Sequence, residues 1–174
     1  MDQCRKEKML EAVMIEHGDA LVRLAFHYVK NKEVAKDMVQ NAFIKCYEKL
    51  DTFRYDSSLR TWLYRITINQ CKDYLKSWHY KQVSVKEAME QTLRSAQVSI
   101  EENIIKGEEE EQFKQLIFSL PIKYREVIYL YYYESLSTPE ISQVTGLKEN
   151  TIKTRLRRAK AKLKVMFEEV GIYG

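Results

Sequence analysis

Residues 138–159 read TPEISQVTGLKENTIKTRLRRA, and this stretch decides the fold of the C-terminal part of the chain. Thr138 is a suitable N-cap, and Pro139 suits the first helical position, where a missing N–H costs nothing. Gly146 can adopt the left-handed conformation that ends a helix and redirects the chain. A second helix is then expected to begin near Thr151. The pattern predicts a helix-turn-helix, whose second helix usually lies in the major groove of DNA.

The predicted second helix has one apolar side and two basic flanks. At about 100° per residue, a single narrow stripe contains Ile152, Leu156, Ala159, Leu163 and Phe167. No acidic residue lies between positions 153 and 164, and seven basic ones do: Lys153, Arg155, Arg157, Arg158, Lys160, Lys162 and Lys164. Such a helix can bury one side, hold phosphates with its flanks and present Thr154, opposite the stripe, to base edges. A charge run alone usually marks a solvated face, but the capped helix and glycine turn upstream favour DNA binding.

Composition predicts an all-α protein. The chain has 174 residues, of which 45% are hydrophobic, with only 5 glycines and 2 prolines and a net charge of +4. Long helical periodicities dominate, and no apolar run is long enough to span a bilayer, so no direct membrane insertion is expected. The start of the chain lacks the apolar core of a signal peptide. Cys4, Cys46 and Cys71 are scattered, as are the histidines, which predicts no metal site or disulfide and favours the cytoplasm.

An acidic segment divides the chain. Residues 99–111 contain six glutamates and one lysine, together with Gly107. We interpret residues 81–111 as a flexible linker between two small helical domains, 1–80 and 112–174.

The N-terminal domain is predicted to contain three helices, at about 8–29, 32–50 and 58–78, the second capped by Asn31. The third helix places a basic and polar strip on one face, made of Arg65, Asn69, Lys72 and Lys76. Aromatic residues lie beside it: Phe53, Tyr55, Trp62 and Tyr64. Rings next to cations suit a single-stranded nucleic acid, because bases stack on rings while cations follow phosphates. The alternative is that the aromatic residues belong to the core, which we favour for Trp62 and Phe53.

Several segments resemble bacterial sigma factors. DMVQNAF at 37–43 resembles the D-x-V-Q-E-x-F signature of that family. SSLRTWLYRI at 57–66 resembles its promoter-melting segment, and Leu120-Pro121, YREV at 124–127 and the helix-turn-helix resemble its fourth region. The chain is most similar to the extracytoplasmic-function (ECF) group, which keeps only the second and fourth sigma regions.

The resemblance implies a function and a set of site residues. Sigma factors of this group bind core RNA polymerase and direct it to promoter DNA, without a cofactor or metal. Asp37 and Gln40 would face the clamp helices of the polymerase. Arg65, Lys72 and Lys76 would hold phosphates of the −10 element, while Asn69 and the loop 53–58 would capture an extruded base. The −35 element would be read by the helix after the glycine turn, with contacts from Lys153, Thr154, Arg155, Arg157 and Arg158. The family is typically held inactive by an anti-sigma factor.

The chain departs from the family pattern at three places. Asn41 replaces an acidic residue, Ser142 replaces a small apolar one, and 131–133 is a run of tyrosines, some of which are expected to complete the C-terminal core.

Two other classes of function fit the sequence less well. A plain helix-turn-helix regulator would bind free duplex DNA without polymerase, and the signature at 37–43 and the second basic strip argue against it. An enzyme is disfavoured because no clustered carboxylates, Gly-rich phosphate loop or Cys-His spacing is present.

Overall fold

The computed structural model describes residues 3–86 and 108–171. These ranges consist of helices joined by turns and loops, with no β-strand. The chain divides into two compact units, Met1–Ser99 and Ile100–Gly174. The prediction of an all-α, two-domain protein is confirmed. The predicted linker lies mostly outside the described residues, at 87–107, while its two ends belong to helices. The exact domain boundaries stay a prediction.

The first unit packs three long helices against one another. They are α1 (Gln3–Val29), α2 (Lys32–Lys49) and α3 (Leu59–Lys86), with a 3₁₀ turn at Leu50–Thr52 after α2. Its core is built from one face of each helix: Leu21, Leu24, Ala25, Tyr28, Ala35, Val39, Ala42, Cys46, Leu63, Tyr64, Ile68 and Cys71.

Side-chain caps determine where α2 and α3 begin. The Asn31 side chain accepts a hydrogen bond from the backbone N–H of Val34 at 3.0 Å, which confirms the predicted cap. Ser58 accepts one from the N–H of Thr61 at 3.1 Å. Both contacts satisfy backbone donors that the first turn of a helix leaves without an intrahelical partner.

The second unit is built on a long C-terminal helix. It contains α4 (Glu108–Ser119), α5 (Ile122–Ile128) with a π-helical turn at Tyr129–Tyr133, α6 (Thr138–Thr145) and α7 (Glu149–Val170). The apolar stripe predicted for α7 is confirmed, since all its members are buried. They meet the buried side chains of the preceding helices: Ile117, Leu120, Val127, Ile128, Leu130, Ile141 and Val144.

The helix-turn-helix formed by α6 and α7 follows the prediction with two corrections. The N-cap of α6 is Ser137 rather than Thr138, because Ser137 and Glu140 form a reciprocal capping box. Pro139 is consequently the second helical residue rather than the first, and Gly146 ends the helix with φ +76°, as predicted. The second helix begins two residues earlier than Thr151, at Glu149. The Ser142 hydroxyl donates to the carbonyl of Leu147 at 2.6 Å, which links the end of α6 to the turn that follows it.

The expectation that some of the tyrosines at 131–133 complete the core is wrong. All three are exposed, by 39% to 51%, whereas Tyr129 and Leu130 are buried. The N–H of Glu134 donates to the carbonyl of Tyr129, five residues back, at 3.2 Å. The three tyrosines therefore lie inside a π-helical turn, where the 3.6-residue spacing of an α-helix does not apply.

The cysteines differ sharply in environment. Cys4 is exposed, whereas Cys46 and Cys71 are buried free thiols. Burial raises the pKa of Cys46 to about 11 and that of Cys71 to about 12. Within residues 3–86 and 108–171, no group of three or more metal-ligating side chains is arranged to hold an ion. No helix in those ranges is both long and apolar enough to cross a membrane.

Candidate nucleic-acid interface

The surface of α7 away from its buried stripe carries the basic side chains predicted to contact DNA. Lys153, Arg157 and Arg158 are exposed, and Thr154 is half-buried between the two basic flanks. On one flank, the Nζ of Lys160 lies 5.4 Å from the ring centroid of Tyr132, and a hydrogen bond with Tyr132 raises the pKa of Lys160. The helix thus presents the positive charge that a phosphate backbone requires.

A groove beside α7 brings three of the predicted residues together. Its volume is about 360 Å³, and it is lined by Lys123, Tyr124, Asn150, Thr151, Thr154, Arg155 and Arg158. Lys123 and Tyr124 come from α5, and we did not predict them or Asn150 as site residues. No local pattern identifies them, because only the packing of α5 on α7 brings these segments together.

Arg155 is held by a buried carboxylate. Its Nη1 lies 3.5 Å from a carboxylate oxygen of Glu126 on α5. The side chain of Glu126 is only 4% exposed and that of Arg155 is 25% exposed. Arg155 therefore contacts an acidic partner inside the protein while it still lines the groove.

The ring of Tyr124 is contacted by lysines from two helices. The Nζ of Lys123 lies 5.1 Å from the ring centroid and that of Lys162, on α7, lies 5.9 Å from it. Both distances are within the range of a cation–π contact, so the Tyr124 ring is next to one lysine of α5, which lines the groove, and one of α7.

The predicted strip on α3 is present. Arg65, Asn69 and Lys76 are exposed, and Lys72 is half-buried. The opposite side of α3 packs on α1 and α2. The strip is therefore available to a ligand, and its role in −10 recognition stays a prediction.

The aromatic residues beside the strip fall into two groups. Tyr64 is fully buried at 1% exposure, so it is a core residue and cannot stack on a base. Phe53 and Trp62 are half-buried and lie against each other with centroids 4.9 Å apart. Tyr55 lies next to Phe53, with centroids 4.7 Å apart and ring planes tilted by 55°, and it is 68% exposed with φ +60°. Positive φ is uncommon for a large side chain, and the backbone here turns the ring of Tyr55 outward.

The residues predicted to bind polymerase lie on the outer face of α2. Asp37 and Gln40 are exposed, whereas Val39 and Ala42 are buried on the inner face. Gln40 also lines an apolar cleft of about 440 Å³ with side chains of α1 and α2, among them Leu10, Met14 and Ile44. Gln40 is therefore at the border of an apolar surface.

Comparison with known proteins identifies both units. Residues 14–79 match the family model "Sigma-70 region 2", and residues 110–163 match "Sigma-70, region 4". RNA polymerase sigma factor SigV of Bacillus subtilis is 30% identical over 163 residues, which cover 89% of this chain and 91% of that protein. The ECF RNA polymerase sigma-E factor of Escherichia coli K12 is 32% identical over 164 residues, covering 88% and 84%.

Solved structures share the fold. The sigma factor RpoE of Bartonella quintana, in complex with the anti-sigma factor NepR, matches with a TM-score of 0.75 at 23% identity, covering 92% of this chain and 98% of that chain. CnrH, in complex with the cytosolic domain of CnrY, matches with a TM-score of 0.66 at 24% identity, covering 94% and 90%. Taken together, the two matched regions and the relatives of similar length show that the chain belongs to the ECF group of sigma-70 RNA polymerase sigma factors, which direct the polymerase to promoters.

Proposed function

We propose that this sigma factor directs initiation through three surfaces, one for the polymerase and two for the promoter. The observation that carries the proposal is the groove between α5 and α7, where Thr154, Arg155 and Arg158 meet. The half-buried hydroxyl of Thr154 and the guanidinium of Arg158 are suited to base edges in the major groove, and Arg155 is suited to a neighbouring phosphate. The −35 element would lie along this groove, with Lys153 and Arg157 holding its backbone.

The −10 element would bind the strip on α3. Arg65, Lys72 and Lys76 supply positive charge for phosphates, and Asn69 supplies an amide that can read a base edge. The exposed ring of Tyr55, together with the tilted rings of Phe53 and Trp62 beside it, offers a surface for a base that has left the duplex. Unstacking a base costs a few kcal/mol, which contacts of this kind must offset.

The partners would be core RNA polymerase, promoter DNA and an anti-sigma factor. Asp37 and Gln40 would contact the polymerase, supported by the adjacent apolar cleft on α1 and α2. An anti-sigma factor is proposed because the sigma factor RpoE, which shares this fold, is bound to the anti-sigma factor NepR in its solved structure. The protein would act in the cytoplasm and would not itself catalyse a reaction.

Run-off transcription tests the proposal. Core RNA polymerase is assayed on a library of bacterial promoter fragments, with and without the full chain. We expect start sites that require the protein and whose yield falls about 5- to 150-fold with Arg158→Ala, the range of one good bidentate base contact. Arg23→Ala removes an exposed arginine from α1 and serves as the control. If no transcripts form while the protein still shifts duplex DNA, it acts as a plain helix-turn-helix regulator instead.

A further inference from the structure

We infer that Glu126 is a positioning residue for promoter recognition: it holds Arg155 in one orientation, so that α7 takes a single register on the −35 duplex. The inference rests on the proposed function, because it assigns a task to the groove between α5 and α7. Glu126 was not predicted as a site residue, and it does not line the groove itself.

The location of Glu126 requires an explanation. Its carboxylate is almost completely buried, in a helix whose neighbouring residues Val127 and Ile128 belong to the core. A buried charge is unfavourable unless it is paired, and the guanidinium of Arg155 at 3.5 Å supplies a partner. A pair of apolar residues would fill the same space without this requirement, so stability alone gives little reason for a carboxylate here.

The geometry of Arg155 suggests what the pair does. A guanidinium has five N–H donors in a rigid fork, so one side can contact Glu126 while the other remains available. Arg155 lies about 100° around α7 from Thr154, on the flank that faces α5. If Thr154 faces the bases of a bound duplex, this flank would lie next to a phosphate. Phosphate contacts determine the register and orientation of a protein on DNA. An arginine that is already held loses less side-chain freedom on binding, which strengthens that contact.

The same carboxylate also weakens indiscriminate binding. Its negative charge offsets that of Arg155, so the groove attracts phosphates less strongly than its arginines and lysines would alone. Non-specific binding depends mainly on such charge, whereas register depends on a fixed contact. Replacing Glu126 by glutamine, which is nearly the same size, should therefore reduce discrimination between sequences without reducing the yield from unselected ones.

The test is transcription by the reconstituted holoenzyme, containing core polymerase and the full chain, from a duplex library with a randomised −35 region. Sequencing the transcribed templates gives the enrichment of selected over unselected sequences. We expect Glu126→Gln to lower this enrichment about three- to tenfold, the order expected when one side chain must be immobilised on binding. A general folding defect would instead reduce transcription from all templates together.

Two further variants separate positioning from folding. In an Arg155→Ala background, Glu126→Gln should have no additional effect on enrichment, because its action passes through Arg155. Arg155→Lys keeps the positive charge but removes the planar guanidinium, so it should lower the enrichment in the same way. This variant also tests the inference if Glu126→Gln does not fold. Glu169→Gln removes an exposed acidic residue of α7 and should match the wild type.

The possible outcomes are distinct. The inference is overturned if Glu126→Gln and Arg155→Lys both keep the wild-type enrichment. It is also overturned if Glu126→Gln still lowers the enrichment in the Arg155→Ala background. Either result leaves the proposed function intact. If the wild-type holoenzyme transcribes without any −35 preference, −35 recognition fails and the inference fails with it.

Discussion

Lys6 shows how one side chain can join residues that are far apart in the sequence. Its Nζ lies 2.7 Å from a carboxylate oxygen of Asp51 and 4.6 Å from the ring centroid of Tyr47. The Lys6 side chain is only 12% exposed, because its stem lies along the neighbouring helix. The first turns of α1 are thus connected to the 3₁₀ turn after α2.

This ion pair predicts an acid-dependent loss of stability. The hydrogen bond from Lys6 holds the pKa of Asp51 below its ordinary value of 3.8. Because the folded-state pKa is lowered, the stabilisation is fully present above that ordinary value and is lost as the pH falls through the lowered one. Urea unfolding followed by tryptophan fluorescence should show a stability difference between wild type and Asp51→Asn that shrinks below about pH 4.

The control for that measurement is Asp19→Asn, which changes an exposed aspartate on α1. A stability difference between wild type and Asp51→Asn that is the same at pH 7 and pH 3 would contradict the role given to Lys6.

Individual side chains were the hardest part to predict from the sequence. Helical periodicity places Arg65, Asn69 and Lys76 on one exposed face, because it depends only on spacing along one helix. It could not separate Tyr64, which is buried, from Tyr55, which is exposed, since that difference depends on packing between helices. The pairing of Arg155 with Glu126 joins residues of two helices, and no local pattern contains it.

At the scale of helices, short-range chemistry made the boundaries largely predictable. Asn31 and Gly146 act within one turn of their own positions, so their roles could be recognised without tertiary information. The error at Thr138 arose because Ser137 and Thr138 are both good caps, and only Ser137 also forms the reciprocal contact with Glu140. The π-helical turn was missed because a single inserted residue leaves little trace in a helical pattern.

Two glycines should respond in opposite directions to the same substitution. Gly146 has φ +76°, with no atom within 4 Å of an added Cβ, so Gly146→Ala adds only backbone strain and should destabilise the second unit by about 1 kcal/mol. Gly18 lies inside α1, also with open space, so Gly18→Ala should stabilise the first unit by about 0.5–1 kcal/mol. Urea unfolding monitored by circular dichroism checks both. Equal signs for the two changes would show that backbone conformation is not the cause.

For the whole molecule, the arrangement of charge in two separate units predicts how binding depends on salt. Removing one cation that binds a phosphate should reduce the slope of log affinity against log salt by about 0.9 on duplex DNA and about 0.7 on single strands. For holoenzyme binding to a promoter, the slope should therefore fall by about 0.9 with Arg157→Ala, on α7, and by about 0.7 with Lys76→Ala, on α3. Filter binding at several salt concentrations measures both.

The two effects should add in the double variant, because Arg157 and Lys76 lie in different compact units. Lys8→Ala, which removes an exposed lysine of α1, should leave the slope unchanged. A slope reduced equally by all three changes would mean that binding senses only total charge and that neither surface is specific.

The burial of two of the three cysteines gives the folded chain a selective chemical reactivity. Thiols react as thiolates, and at pH 8 a group with the pKa of Cys46 or Cys71 is ionised to roughly one part in a thousand or less. Cys4, exposed near the start of α1, is therefore the thiol that a maleimide dye reaches first. The native sequence thus offers a site for a fluorophore or cross-linker at one end of the first unit, without any substitution in the promoter-facing surfaces.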